Sequence, residues 1–149
     1  MKVADILASK ASMVITIKPS ESIGTLSQLL RDKRIGAAVV SDDGRTIDGV
    51  ISERDLAYGL CTHKADLYTM PVSTLMTKTV ITCAPGDDVA RVASTMLSRN
   101  IRHIPVHDGK GLIGMVSIRD VLKVRLDELQ QETAQLRSIA SWGVEPQDR

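Results

Sequence analysis

Apolar residues in the first third of the chain change from short runs to spaced positions and back, which predicts alternating strands and helices. Val14 to Ile17 is a β-branched run that ends before Pro19 and predicts a strand. The apolar positions that follow are three and four apart and predict a helix, with Ser20 as its expected cap: Ile23, Leu26, Leu29 and Leu30.

Two further strands and a helix complete this unit. Residues 37–40 are apolar and too few for a helix, so they predict a buried strand, and residues 47–51 predict the next one. Asp42-Asp43-Gly44 between them is typical of a turn, and a second helix opens at Arg54-Asp55-Leu56.

The same order recurs in the second half of the chain, which indicates an internal repeat. Residues 14–21 align with 80–87 at an offset of 66, and residues 49–55 align with 114–120 at an offset of 65. The second copy therefore predicts strands at 80–83, 104–106 and 112–116, and a helix that carries Val89, Val92, Ala93, Met96 and Leu97.

Neither copy has enough strand to bury both faces of a sheet alone. We therefore expect an α+β fold in which two β-α-β-β-α repeats pack together about a pseudo-twofold axis. The first repeat is placed at 8–67 and the second at 76–132, followed by a helical extension and frayed tail at 133–149, which includes Trp142.

Composition excludes several classes of function. Lys and Arg total 19 against 18 Asp and Glu, a net charge of +1, and aromatic residues make up 2%, which argues against a nucleic-acid surface. Two cysteines, Cys61 and Cys83, are too few for a disulfide framework and favour the reducing cytoplasm. No apolar run is long enough to span a membrane, and Asp5 lies where a signal peptide would be apolar.

Both copies share a motif of glycine, two apolar residues, serine, two variable residues and aspartate, at 49–55 and 114–120. Together with the strings 14–16, 80–82 and 102–106, this motif resembles the CBS domain, named for cystathionine β-synthase. The pair, over residues 1 to 132, resembles a stand-alone tandem CBS protein, or Bateman-type module. The resemblance implies a fold of two such repeats and the binding of an adenine nucleotide between them.

The motif places ligand-binding groups at a strand-to-helix junction in each copy. The hydroxyls of Ser52 and Ser117 lie beside the free backbone N–H groups that begin a helix, where phosphate binds. One turn later, Asp55 and Asp120 can accept the hydrogen bonds of a ribose diol. The alternative is that Ser and Asp three residues apart merely cap the helix.

Other residues of the motif support the same interpretation less directly. Arg54 and Arg119 can offer a guanidinium to phosphate, or are simply solvated. The motif glycines, Gly49 and Gly114, are expected to let the backbone approach a ligand.

The resemblance further implies two composite sites, each built from both copies. The Asp120 site would combine Ser117 and Arg119 with Thr16, Ile17, Gly36, Ala37 and Ala38. The Asp55 site would combine Ser52 and Arg54 with Thr82, Cys83, Arg102, His103 and Ile104. Copy two has Arg102-His103 where copy one has Gly36-Ala37, so we expect one strong site and one weak or empty site. A metal site at His103 and His107 is not expected, because a third ligand is missing.

A stripe of apolar positions continues beyond the second repeat with nearly heptad spacing: Leu122, Leu126, Leu129, Leu136 and Ile139. The helix that carries them either packs back on its own module or joins a second copy in a homodimer, and we favour the homodimer.

The predicted function is a non-catalytic regulatory module that senses AMP, ATP, NAD or a related adenine nucleotide. The nucleotide would be a regulatory ligand rather than a required cofactor, and a protein partner in trans would respond to it. The alternative is a structural or dimerisation module with degenerate sites. An enzyme is not expected, because no Walker, His-Glu-x-x-His or Gly-x-Ser-x-Gly motif occurs.

Overall fold

A computed structural model describes residues 1–10 and 14–143, with side chains described through Ser141. The helices and strands, in chain order, are α1 (Val3–Ser9), β1 (Thr16–Ile17), α2 (Ile23–Lys33), β2 (Ala37–Val40), β3 (Gly49–Ser52), α3 (Glu53–His63), a 3₁₀ helix (Lys64–Thr69), α4 (Val72–Leu75), α5 (Val89–Arg99), β4 (His103–His107), β5 (Leu112–Ser117) and α6 (Ile118–Gly143). The expected α+β fold of two repeats about a pseudo-twofold axis is confirmed.

Each repeat centres on an antiparallel pair of strands that runs into a helix. In the first repeat Ala37 of β2 pairs with Ser52 of β3, and in the second His103 of β4 pairs with Ser117 of β5. The short strand β1 adds to the first pair in parallel, which makes a three-stranded sheet in the order β1-β2-β3.

The strand predicted at 80–83 is wrong in extent. Only Cys83 pairs there, in an isolated parallel bridge with Val106. Cys83 N donates to Pro105 O at 3.0 Å and its carbonyl accepts from His107 N at 2.9 Å, so the ladder is one residue long. β1 is likewise shorter than predicted, since only Thr16 and Ile17 pair with β2.

Ser22, rather than Ser20, caps α2. The Ser22 hydroxyl accepts from Thr25 N at 3.1 Å, the bond expected of an N-cap residue. Ser20 instead lies with Pro19 in a turn, in which Glu21 N donates a hydrogen bond to Lys18 O at 3.1 Å. The prediction of Ser20 as the cap was therefore two residues too early.

The two repeats exchange the short helices that precede them. Val3 of α1 is fully buried in the core of the second repeat, and Val72 of α4 is fully buried in the core of the first. Equivalent backbone bonds hold the two helices, from Val3 N to Asp87 O at 2.9 Å and from Val72 N to Glu21 O at 2.7 Å. Each core therefore depends on a segment that precedes the other repeat in the chain.

Helix α6 begins in the second repeat and continues away from it. Val121 and Val124 are buried against the module, whereas the predicted apolar stripe is 55–65% exposed: Leu122, Leu126, Leu129, Leu136 and Ile139. The helix runs to Gly143, so the backbone at Trp142 is helical rather than frayed. The tail predicted at 145–149 lies outside the described residues. Among the helices that are described, α6 included, none has the length and hydropathy of a membrane span.

Candidate functional site

The two strand-to-helix junctions have nearly the same local geometry. Asp55 accepts a hydrogen bond from Ser52 N at 2.8 Å, and Asp120 accepts one from Ser117 N at 2.9 Å. Both carboxylates therefore do cap their helices, as the alternative interpretation stated. Only Oδ2 of each Asp makes this bond, and the Oδ1 atoms have no hydrogen-bond partner within the described residues.

A cleft opens beside Asp55 at the boundary between the repeats. Its volume is about 220 Å³, somewhat below the roughly 300–1,000 Å³ typical of closed small-molecule sites, and it is open to solvent on one side. Seven of the predicted residues line it together: Gly36, Ala37, Ser52, Arg54, Asp55, Arg102 and His103.

The N-terminus of α3 faces this cleft, and two arginines supply positive charge. The Arg54 guanidinium donates from Nη1 to the carbonyl of Asn100 at 2.9 Å, a contact that joins the two repeats across the cleft. Arg102 is exposed at the mouth. A helix N-terminus with two guanidinium groups favours an anion such as phosphate.

His103 lies deeper in the cleft, against the first repeat. Its ring is close enough to Gly36 that a Cβ built there would be 3.2 Å from His103 Cε1. Burial lowers the pKa of His103 below its usual value, although the negative charges of Glu53 and Asp120 partly oppose this effect. His103 is therefore a mostly neutral hydrogen-bonding group at physiological pH, which a bound anion would help to protonate.

The junction at Asp120 differs in its surroundings. The Lys10 ammonium donates to Asp120 Oδ2 at 2.9 Å and to the carbonyl of Met115 at 2.8 Å. Burial acts to raise the pKa of Asp120, but the hydrogen bond from Ser117 N and the Lys10 charge outweigh it, so the pKa is lowered. Asp120 is thus an ionised partner of an internal cation.

The remaining predicted residues lie elsewhere. Four of them are buried in the two cores: Ile17, Ala38, Cys83 and Ile104. Thr16 and Thr82 line two other depressions, and the one at Thr82 shares Val80 with the cleft. Ser117, Arg119 and Asp120 belong to the other junction, where Arg119 is exposed. Gly36 and Ala37, which the resemblance assigned to the Asp120 site, lie instead on the Asp55 side.

The motif glycines serve packing. A Cβ on Gly49 would lie 2.9 Å from Thr77 O, and a Cβ on Gly114 would lie 2.6 Å from Leu7 Cδ2. Each glycine therefore makes room for the segment near the exchanged helix α4 or α1, rather than for a ligand as expected.

Several residues of the cleft were not predicted: Val50, Glu53, Thr77, Thr79, Val80, Ile81, Ile101 and Pro105. The segment 77–81 forms one wall because it follows α4, which packs on the first repeat. The only sequence signal for it was the loose alignment of residues 3–7 with 72–76, which marks 77–81 as the segment that follows a repeated helix.

Neither of the two cysteines lines the cleft. Cys83 is buried, and burial raises the pKa of its thiol to about 11, which disfavours the reactive thiolate. Cys61, the other cysteine, is exposed on α3, and both are free thiols. Within residues 1–10 and 14–143, no three His, Cys, Asp or Glu side chains are grouped to hold a metal ion.

Comparison with known proteins identifies relatives of the whole double repeat. The family described as CBS domain matches residues 3–61 and 72–127. An uncharacterized 17.7 kDa protein from Acidianus ambivalens is 32% identical over 127 residues, which cover 81% of this chain and 76% of that protein. The CBS domain-containing protein CBSX3, mitochondrial, from Arabidopsis thaliana is 34% identical over 73% of this chain, but the match spans only 55% of that protein.

Solved structures share the same arrangement. A CBS-domain containing protein from Agrobacterium tumefaciens has a TM-score of 0.80 and 34% identity, covering 84% of this chain and 99% of that chain. A CBS domain protein from Pyrobaculum aerophilum complexed with AMP has a TM-score of 0.71 and 26% identity over 80% of this chain and 89% of that one. The CBS domain pair of protein MJ0100, in complex with 5-methylthioadenosine and S-adenosyl-L-methionine, has a TM-score of 0.76 and 26% identity over 86% and 98%.

Proposed function

Because this chain belongs to the CBS domain family and contains two such domains in tandem, we propose that it is a non-catalytic regulatory module that binds an adenine nucleotide in the Asp55 cleft. AMP, ATP, NAD and S-adenosylmethionine share the adenosine that this cleft would recognise. The observation that carries the proposal is the meeting of Asp55, Arg54, Arg102 and His103 around one opening between the repeats.

In this proposal each part of the ligand has its own partners. The free Oδ1 of Asp55 accepts hydrogen bonds from the ribose hydroxyls, while Oδ2 keeps its bond from Ser52 N. The N-terminus of α3, with Arg54 and Arg102, receives the phosphate. Aliphatic side chains such as Val80 and Ile81 hold the adenine without aromatic stacking, which accords with the scarcity of aromatic residues.

The named ligands of two structural relatives support the adenosyl class. One is complexed with AMP, and the other with 5-methylthioadenosine and S-adenosyl-L-methionine. These ligands differ in charge beyond the ribose, and the part they share is the adenine base with the 2′,3′-diol of its ribose.

A regulatory role follows from where the cleft lies. Its walls come from both repeats, and the bond from Arg54 to Asn100 O already joins them across it. A ligand that contacts both walls stabilises one relative placement of the repeats over others, and a protein partner in trans would recognise that placement. We place this activity in the cytoplasm, where the free thiols of Cys61 and Cys83 stay reduced.

A thermal-shift panel tests the proposal. Ligand at about a hundred times its Kd stabilises the folded state by about 2.7 kcal/mol, which raises the Tm of a domain this size by roughly 5–10 °C. We expect such a shift with at least one of AMP, ATP, NAD and S-adenosylmethionine. GMP, which presents a different base edge, and ribose 5-phosphate, which lacks a base, are controls expected to give smaller shifts. No shift with any adenine compound at millimolar concentration refutes the proposal.

A second candidate function is that of a structural or dimerisation module with degenerate ligand sites. The exposed apolar stripe on α6 favours it, because five large side chains at nearly heptad spacing are left uncovered in the single chain. This function requires no nucleotide.

Size-exclusion chromatography with light scattering, which gives the molar mass in solution, tests the second candidate. The double variant Leu126→Glu/Leu129→Glu is expected to shift a dimer to monomer. Gln131→Glu/Gln135→Glu adds the same two negative charges at exposed positions off the stripe and is the matched control. A wild-type chain that is monomeric at micromolar concentration contradicts this candidate.

A further inference from the structure

The two halves of the molecule offer two equivalent junctions, and within the described residues only one of the two carboxylates is in an ion pair. Among these residues Asp55 is bonded only within its own capping box, to Ser52. Asp120 makes the equivalent bond to Ser117 and, in addition, the ion pair with Lys10. The ion pair neutralises, at Asp120, the type of group that is proposed to bind ribose at Asp55.

Lys10 is held in place by more than its charge. Its ammonium donates to Asp120 Oδ2 at 2.9 Å and to the Met115 carbonyl at 2.8 Å, and the two side chains are 28% and 19% exposed. An ion pair with a second hydrogen bond and little solvent is screened less than a surface pair. A ribose that approaches the free Oδ1 of Asp120 must therefore share the carboxylate with a well-bonded cation that already neutralises it.

The internal repeat identifies which residue takes the place of Lys10 in the open cleft. Backbone bonds from Val3 N to Asp87 O and from Val72 N to Glu21 O make residue 3 equivalent to residue 72, an offset of 69. The same offset pairs Leu7, which packs on Gly114, with Met76, which packs on Gly49.

Three residues beyond this pair lie Lys10 and Thr79, which correspond in place although α1 continues to Ser9 and α4 ends at Leu75. Thr79 lines the Asp55 cleft, as Lys10 approaches Asp120. The carbonyls also correspond. Val50 O accepts from Thr77 N at 2.9 Å, whereas its equivalent, Met115 O, accepts from the Lys10 ammonium. A short neutral side chain in one half is thus replaced by an internal cation in the other.

We propose that Lys10 determines the number of nucleotides bound, by closing the Asp120 junction so that the chain takes one adenine nucleotide, at Asp55. This inference rests on the proposed function. It adds that the nucleotide binds at the Asp55 junction and that Lys10 excludes a second nucleotide from the Asp120 junction. Lys10 acts as a specificity-determining residue that competes with ribose for Asp120.

The test makes reciprocal substitutions at Lys10 and Thr79. Calorimetric titration with AMP is expected to give one site per chain for the wild type and two for Lys10→Thr. Lys10→Met, which keeps the aliphatic stem and loses the charge, is a second variant in case the first folds poorly. Adding Asp120→Ala to either variant should return the stoichiometry to one, which locates the second ligand at Asp120.

The reciprocal change, Thr79→Lys, places a cation beside Asp55 and is expected to weaken binding of adenosine by roughly tenfold or more. Adenosine is the probe because it has no phosphate for the new lysine to attract. Two sites in the wild type, or one site in both Lys10 variants, overturns this inference while leaving the proposed function intact. No binding to any of these proteins overturns both.

Discussion

Replacing Asp55 by Ala tests the proposed ribose contact. The substitution removes the carboxylate that lies one turn into α3, together with its bond from Ser52 N at 2.8 Å. The free Oδ1 is the atom proposed to accept from the ribose, and a hydrogen bond to a charged group contributes about 1.5–3 kcal/mol. We therefore expect a roughly ten- to hundredfold loss of affinity for AMP, measured by calorimetry.

A double-mutant cycle separates this contact from general damage to the site. 2′-Deoxy-AMP lacks one of the two hydroxyls, so it should bind the wild type more weakly than AMP. Against Asp55→Ala the two ligands should bind almost equally, because the group that distinguishes them is gone.

Loss of the helix cap needs its own control. Asp87→Ala removes a similar bond, from Ala84 N to the Asp87 carboxylate at 2.9 Å, in a turn outside the cleft. Both variants should lose about 1 kcal/mol of stability, but only Asp55→Ala should lose affinity. An Asp55→Ala protein that is folded and binds AMP within twofold of the wild type refutes the assignment of the ribose to Asp55.

Three further outcomes are expected. Burial lowers the pKa of His103, and a bound phosphate should favour the protonated form of its imidazole. The affinity for AMP relative to adenosine should therefore rise as the pH falls below 6.5, and it should rise more in the wild type than in His103→Gln. Because the pKa of Asp120 is lowered in the folded state, its carboxylate should stabilise the fold above pH 4, and this contribution should be lost as the pH falls through the folded pKa. In urea unfolding, the free energy of unfolding should therefore decrease less between pH 7 and pH 3 in Lys10→Met than in the wild type. Ile51→Ala, fully buried, should cost about 2–5 kcal/mol in urea unfolding, and Ile113→Ala, 41% exposed, much less; equal costs would contradict the core assignment.

Much of the fold could be predicted because its signals are local and occur twice. The runs that form β2 and β3 and the spaced positions of α2 and α5 lie within a few residues of one another, and their recurrence at a fixed offset excludes chance. The apolar stripe of α6 was predictable for the same reason, since heptad spacing is a property of one helix.

Errors arose where structure depends on a distant partner. Residues 80–83 have the apolar, β-branched character of a strand, but a strand forms only where a neighbouring strand takes its backbone hydrogen bonds, and only Cys83 pairs with β4. The family resemblance implied Thr82 and Cys83 for the wall of the Asp55 site, whereas Thr79, Val80 and Ile81 line the cleft.

The ion pair at the Asp120 junction could not be predicted from neighbouring residues in the sequence either. Lys10 and Asp120 are separated by 110 positions, and their contact follows from the exchange of α1 into the second repeat. A single lysine at the end of a short helix carries no sign of that exchange. The expectation of unequal sites was based on Arg102 and His103, which differ from Gly36 and Ala37, and the ion pair adds a separate physical reason for inequality.

A crystal structure of the chain with AMP bound tests the central claim most directly. We predict electron density for one nucleotide, with its ribose hydroxyls in hydrogen-bond distance of Asp55, its phosphate near the start of α3, and the Lys10–Asp120 ion pair intact. A nucleotide bound at Asp120 with Lys10 displaced, or bound outside the boundary between the repeats, would contradict the account.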